Sequence, residues 1–441
     1  MLSFPALNEN ELAFNSEFRG FCGLHGKGVT LKSLSLPLSF LCLLFLLCIV
    51  PACADDDADD AEPPDYDEWI AQGKHYLIDN DAEHAARAFN EALELQPDSV
   101  DAKFGLVLAG PMRLLNFVDQ ILSTITNITF DNDWQKQQTE RDYNEENTHP
   151  IHLYLVEKLG YVVWDGEAAY ADLLTETNLQ FQLDELTLSI DEAPLLSFGG
   201  EFDEADLHFF AALNSALNGV IHILLAHNLS FDYTAIGVPL SDEEMHIIET
   251  IDMIIGLLDG LLASETFPDF MYLLEEGGVE NMQEAGCALG HTFTRLDEML
   301  AALAAETDDQ SDDQIRFDDL NGNGHFDLGV DDLLLGDVVL DAELAVELET
   351  LAVNYSAAFY EGTPHDVNSQ TIETLHLADL NGLLTALGLF PLELGPLTLN
   401  GLPDLGGLPV GPFFADPAPD AVRGALQFLV TLWTDPGSLF D

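Results

Sequence analysis

From Leu34 to Cys53 the chain reads LSLPLSFLCLLFLLCIVPAC, and it then breaks at once into ADDDADDAEPPD. A run of about 20 apolar residues matches the hydrocarbon thickness of a bilayer. Such a run either leaves the mature chain or stays in a membrane as an uncleaved anchor. Lys32 gives it a positive flank, Phe40 to Val50 form its apolar centre, and Ala52 is the small residue that precedes a processing cut. The folded body is therefore expected to begin after Cys53 and to work beyond the cytosol. The first 28 residues, with Glu9, Glu11, Glu17 and Arg19, fit no signal peptide. Initiation at Val29 or Leu31 would give a presequence of ordinary length.

The box Val50-Pro51-Ala52-Cys53 resembles the signal of bacterial lipoproteins, departing from the usual pattern at Pro51, where a small or hydroxylated residue is commoner. The resemblance implies that Cys53 becomes the first residue and carries the lipid. It also implies a place in the cell envelope, on the periplasmic or surface face of the outer membrane. Of five cysteines, Cys22, Cys42 and Cys48 precede the cut, which leaves Cys287 as the one unmodified thiol and no intrachain disulfide.

Removing the three bases (Arg19, Lys27, Lys32) and three acids that precede Cys53 leaves ten basic residues against 76 acidic ones. A field of that sign repels nucleic acid and anionic membrane surfaces and favours cations or basic partners. The acids are spread along the chain, as on proteins from saline environments, where ions screen self-repulsion within about 3 Å at 1 M salt. A functional acidic patch is the competing explanation.

Asp55 to Asp65 reads as an acidic tether that cannot bury enough apolar surface to fold. Beyond it, Trp69, Gly73, Tyr76, Ala85, Phe89, Ala92 and Pro97 fall at spacings that set large residues of one helix against small residues of another, with Asp79-Asn80-Asp81 as the turn. The segment Tyr66 to Ser99 resembles one tetratricopeptide repeat, with Gln72 where leucine is usual. The resemblance implies a first helix holding Trp69, Gly73 and Tyr76, a second holding Ala85, Phe89 and Ala92, and a module of a kind that binds peptides or protein segments. A solitary repeat must be covered. The helix opening at Asp101 is expected to supply that cover and to run past Pro111.

Periodicity makes Ile151 to Tyr161 helical. Alternation over Asn178 to Asp191, switching parity at Asp184-Glu185 through a tight turn or a bulge, gives a small β-hairpin near 179–190. Three strong helices follow: Asp203 to Ala226 behind an Asp-x-x-Asp cap, one opened by the Ser241/Glu244 capping box, and Val279 to Ala305. A further helix is expected near Asp331 to Tyr360. Pro and Gly from Phe390 to Pro419 make an extended wrap ahead of a last helix at Ala421 to Trp433. The fold class is thus mainly α: a repeat-like hairpin packed on an irregular helical bundle, with a small β-hairpin and an extended C-terminal segment. The expected divisions are a leader (1–53), the tether (54–65), the repeat-like hairpin (66–110), a helical domain (111–305), an acidic linker with a metal-type loop (306–340), and the C-terminal helices and wrap (341–441).

The sharpest chemical constellation is Asp319-Leu-Asn321-Gly-Asn323-Gly324-His325-Phe326-Asp327. Alternate oxygen-bearing side chains meet at one centre when such a loop curls, and hard Ca²⁺ takes six to eight oxygens. The loop resembles that of EF-hand proteins, and Gly322 brings it near half a dockerin repeat. The resemblance implies Asp319, Asn321, Asn323 and Asp327 as side-chain ligands and the carbonyl of His325 as another. Val330 stands where the family has a bidentate acid, so Asp331 or Asp332 would close the shell. An Asx-rich turn is the competing reading. Any calcium is expected to be structural, fixing a turn between two helices. Asp379-Leu-Asn381-Gly382 lacks the remaining ligands of a second loop.

His208, His222 and His227 do not have the spacing of a helical zinc pair and read as packed or rim residues. Cys287 and His291 stand one helical turn apart, yet their apolar surroundings favour a buried thiol. No Gly-rich phosphate loop with lysine and no Gly-x-Ser-x-Gly elbow occurs. The sequence points to a lipid-anchored interaction or scaffold protein with a protein or peptide partner and a structural Ca²⁺. A secreted hydrolase with an unrecognised site is the alternative, and the subunit number is open.

Overall fold

The computed structural model describes residues 64–127, 155–174, 179–190, 193–229, 268–306, 313–336 and 338–359, together with shorter pieces within 256–263 and 374–434. Cys53, the tether before residue 64 and most of the helix expected from Ser241 lie outside the described residues; the described pieces of that helix, within 256–263, are helical with Leu258 and Leu262 buried. The described body is mainly α, as expected, with small antiparallel sheets.

Helix α1 (Tyr66–Ile78) starts at a capping box, in which the Asp65 carboxylate accepts from Glu68 N and the Glu68 carboxylate accepts from Asp65 N. Asp81 caps α2 (Ala82–Leu95), and the turn between them passes through Asn80 at φ 60°. Phe89 of α2 is fully buried, flanked by Gly73 of α1 and by Gly105 of α3 (Val100–Asn127). A Cβ on Gly73 would stand 2.6 Å from Phe89 Cε1, so the glycine is what lets the two helices close on the ring. Trp69 and Tyr76 pack partly buried on the same core, Ala85 and Ala92 are fully buried, and Pro97 follows the end of α2. Helix α3 runs through Pro111, as its apolar period requires.

A π-helical turn, Leu155–Gly160, leads into α4 (Tyr161–Leu173), which lies against α3. The hairpin is longer than the sequence suggests. Strand β1 (Phe181–Ile190) runs straight through Asp184-Glu185 and pairs with β2 (Ala193–Phe202), so the parity switch is a bulge between Leu183 and Leu186 and the return strand lies beyond 190. Of the tight turn and the bulge that a parity switch at 184–185 allows, the structure has the bulge. Phe181 of β1 stacks on Phe104 of α3 at 5.4 Å between centroids and meets Phe89 edge-on at 6.5 Å. Phe198 and Phe202 of β2 extend this aromatic core to Phe210.

Phe210 belongs to α5 (Glu204–Leu225), whose N-terminus is the expected Asp203/Asp206 capping box. Leu207, Phe210, Leu217, Ile221 and Leu224 are buried along it. This helix is long and apolar enough to cross a bilayer, but 72% of its apolar window is buried inside the body, as in a core helix. Its main partner is α6 (Gly278–Ala305).

Past α6 the expectation of a single helix from Asp331 fails. Strands β3 (Ile315–Asp318), β4 (Asp332–Leu335) and β5 (Val338–Leu340) form an antiparallel meander, and α7 (Ala342–Phe359) begins only after Asp341, whose side chain accepts from Leu344 N. Ile315 and Phe317 face inward opposite Leu333 and Leu335, a period of two that a helix cannot present. Short pairs β6 (Thr374–Leu375) with β9 (Leu408–Pro409), and β7 (Leu392–Leu394) with β8 (Leu397–Leu399), occupy the C-terminal segment. They bracket the short helix α8 (Asn381–Ala386) and precede α9 (Val410–Ala415), one helical turn and a half inside the stretch expected to be extended. Phe413 and Phe414 of α9 pack against Phe359 and Met282, and α10 (Ala421–Thr434) ends the description.

Because Phe89 bridges three elements, Phe89→Ala should lower unfolding free energy by about 3–5 kcal/mol. Gly105→Leu, which forces extra volume against the same ring, should cost about 1–3 kcal/mol. Urea midpoints of the two variants against the parent check both.

Candidate metal centre

The loop 319–331 joins β3 to β4, not two helices, and its ends are held 11 residues apart in sequence by one buried side chain. Asp331 is 0% exposed; its Oδ1 accepts from Leu320 N at 2.9 Å and its Oδ2 from Asp327 N at 2.8 Å. Asp332 turns away to accept from Ala342 N at 3.1 Å. Of the two acids that could close the loop, Asp331 is the one that does, through the backbone. Phe326 anchors the loop from below against Phe317, with centroids 5.7 Å apart.

Above that anchor the polar residues converge. The Asp319 carboxylate accepts from the N–H groups of Gly322 (2.6 Å), Asn323 (3.2 Å) and Gly324 (2.7 Å). Gly322 and Gly324 hold φ of 74° and 81°, and that left-handed backbone aims the amides inward. The Gly324 amide, then those of Gly322 and Asn323, hold the exposed Asp319 carboxyl below the usual carboxylate range. Asn321 and Asn323 each donate from Nδ2 to Asp327 Oδ2, at 2.7 and 2.6 Å. Their Oδ1 atoms accept from Asn323 N and His325 N, at 3.0 and 2.8 Å. His325 therefore enters through its backbone, and its side chain is exposed.

The side-chain oxygens are of the kind a hard cation takes, and in this arrangement they accept from the Gly322, Asn323, Gly324 and His325 amides and from the two side-chain amides, the bonding of an Asx-rich turn. The amide N–H groups stand toward Asp327 as a cation would, and rotation of the two amides about χ2 would present oxygen instead. When bound there, Ca²⁺ would be held by Asp319, Asn321, Asn323, the His325 carbonyl and Asp327. Asp331 would then fix the loop ends.

A second polar centre lies in the helical core. Arg295 of α6 forms a paired contact with Glu167 of α4, Nη1 to Oε1 at 2.8 Å and Nη2 to Oε2 at 2.7 Å. It also donates to Ser215 and to the Ala211 carbonyl of α5, and its guanidinium lies 4.1 Å from the Tyr170 ring centroid. Burial alone would lower the Arg295 pKa, but the hydrogen bonds and charge of Glu167 raise it. Tyr170 donates to Glu298 Oε2 at 3.0 Å and meets His208 Nδ1 at 2.9 Å, and burial pushes its phenol up. The hydrogen bond from His208, opposed in part by burial, lowers the carboxyl of Glu298. The saturated contacts of Arg295 and Glu167 fit a structural role.

His208 thus belongs to this network, His222 pairs with Asn281 Oδ1 at 2.9 Å, and His227 bonds the Ile223 carbonyl at 2.6 Å. Cys287 is buried, with Sγ 4.0 Å from His291 Nε2. The repeat-pattern residues hold α1, α2 and α3 together rather than lining a cleft. The Arg295 centre went unread in the sequence, although one signal was present: Arg295 is the single basic residue between Lys158 and Arg316.

Arg295→Met should cost about 3 kcal/mol by leaving the partly buried Glu167 carboxylate with only Ser215 and Asn214 as donors, and adding Glu167→Gln should recover most of the loss. A double-mutant cycle on unfolding free energies measures it.

No family model matches this chain, and neither a curated protein nor a solved structure matches it.

Proposed function

We propose that the chain is a lipid-anchored scaffold or interaction protein of the cell envelope, stiffened by calcium at the loop 319–331. The observation that supports the calcium reading is that Asn321 and Asn323 both bond Asp327 while Asp319 gathers the amides of the same tight loop, over a buried Phe326. The anchor reading rests on the box ending at Cys53 and on the acidic tether after it. The likeness of 66–99 to a tetratricopeptide repeat supports a partner that is a protein or peptide. Phe181 already fills the side of the hairpin that faces β1, with Lys74 Nζ 4.3 Å from its ring centroid. A partner would therefore meet the solvent side of α1 and α2.

Three measurements test the reading. Cys53→Ser should shift the protein from the membrane fraction to the soluble one, and retention on the membrane would refute lipidation at that residue. Calcium at 100 times its Kd stabilises a folded protein by about 2.7 kcal/mol, and Asp319→Asn with Asp327→Asn should abolish the loop's share of that gain. An unchanged calcium stoichiometry in this double variant would refute the loop as a site. Affinity capture from solubilised membranes, with and without chelator, should recover one stoichiometric partner. A pure preparation that turns over a substrate would overturn the scaffold reading.

A further inference from the structure

The N-terminus of α5 carries more negative charge than a cap requires. Asp203 uses Oδ1 on the N–H groups of Ala205 (2.8 Å) and Asp206 (3.3 Å), while its Oδ2 is buried with no hydrogen-bond partner. Asp206 is 0% exposed; its Oδ2 accepts from Asp203 N at 3.2 Å, and its Oδ1 is likewise without a hydrogen-bond partner. Two more carboxylates arrive from distant parts of the chain. Glu306 is the C-cap of α6, and Asp313 stands just before β3, bridged through its backbone to Glu201 of β2. Oxygens of Asp203, Glu306 and Asp313 lie within 4.8 Å of one another.

Carboxylates gathered away from water repel one another, and such a group is stable only when protons or a cation offset the charge. Asp203 is 9% exposed and keeps one oxygen beyond the reach of any donor, at the centre of a three-element junction. Two oxygens on one Ca²⁺, each at 2.3–2.6 Å, are at most about 5 Å apart, a limit this trio meets. The donors are all carboxylate oxygens, with no imidazole or thiolate in the trio, which suits a hard ion rather than zinc or copper. The negative end of the α6 dipole points at the same place.

We propose that Asp203, Glu306 and Asp313 form a second, buried calcium site that ties the start of α5, the end of α6 and the lead into β3 into one joint. Asp206 stands behind it, accepting from the Asp203 backbone and holding that residue in place. The site shares no residue with the loop 319–331 and stands or falls separately from it.

The test uses the full mature chain in detergent, stripped with chelator and titrated calorimetrically with calcium chloride alone, with magnesium chloride as comparator. The background carries Asp319→Asn and Asp327→Asn, which silence the loop. One calcium should still bind, and Asp313→Asn should weaken it by about tenfold or more. Asp203→Asn, which preserves the helix cap, should do the same and serves if Asp313→Asn does not fold. In both variants the calcium-dependent rise in unfolding temperature should disappear. Absence of binding on the loop-silenced background, or an affinity unchanged by either substitution, overturns the proposal and leaves shared protons as the balancing charge. Equal affinity for magnesium overturns the assignment to calcium. Failure of the loop alone would show instead as equal stoichiometry with and without its two substitutions.

Discussion

With ten basic residues against 76 acidic ones beyond Cys53, each ammonium or guanidinium is scarce, and the fold uses them as joints between elements. Lys74 of α1 pairs with Asp101 of α3 at 3.1 Å. Lys103 and Arg113 tie α3 to Asp172 and to Glu83 of α2, at 3.1 and 3.3 Å. Arg295 joins α6 to α4, and Arg423 of α10 donates to the carbonyls of Phe270 and Leu262. The half-exposed Lys74 pair contributes little, but the Arg113 and Arg295 pairs, each joining a buried guanidinium to a largely buried carboxylate, cannot lose one member without leaving the other charge poorly compensated. Among the described residues backbone amides take some of the remaining acids, such as Asp331 and Asp341, and with so few cations in the chain further counter-ions must come from outside it. Both proposed calcium positions follow from that shortage, one on an exposed loop and one at a closed junction.

The parts of the fold that were legible in the sequence are those with long periods and chemical end-signals. Helices α1 and α2 were readable because Asp65, Asp79-Asn80-Asp81 and Pro97 bound a period sustained over four turns each. Helix α5 was readable from Asp203 and Asp206, and α3 through Pro111 because its apolar residues continue in register. Strands β3, β4 and β5 were missed because three or four residues of alternation cannot be distinguished from the edge of a helical stripe. Strand β2 was hidden by Gly199-Gly200, residues that ordinarily weaken a strand. Here the amide of Gln314 covers that position by bonding both the N–H and the C=O of Gly199, each at 2.6 Å. The loop ligands could be read because they are neighbours in sequence. The Arg295 centre and the Asp203 junction could not, because each joins stretches far apart in the chain, with Ser215 80 and Glu167 128 residues from Arg295.

The repeat-like hairpin illustrates how local pattern and tertiary use separate. Its small and large residues fit together much as their spacing suggested, with Gly105 from α3 completing the clasp on Phe89. Its neighbour on one side is another helix, yet on the other it is a β-strand, whose Phe181 enters the aromatic cluster with Phe89 and Phe104. A helical pair that would stack on copies of itself in an array is here the first layer of a mixed core.

Cys287 sits on α6 at 3% exposure, one helical turn from His291, with Sγ 4.0 Å from Nε2. In the acylated, processed chain it would be the sole sulfhydryl open to alkylation, and a reagent could reach it only when the packing around α6 opens. Its modification rate in the native state is therefore a built-in clock for the breathing of that packing, readable by mass spectrometry without any engineered label.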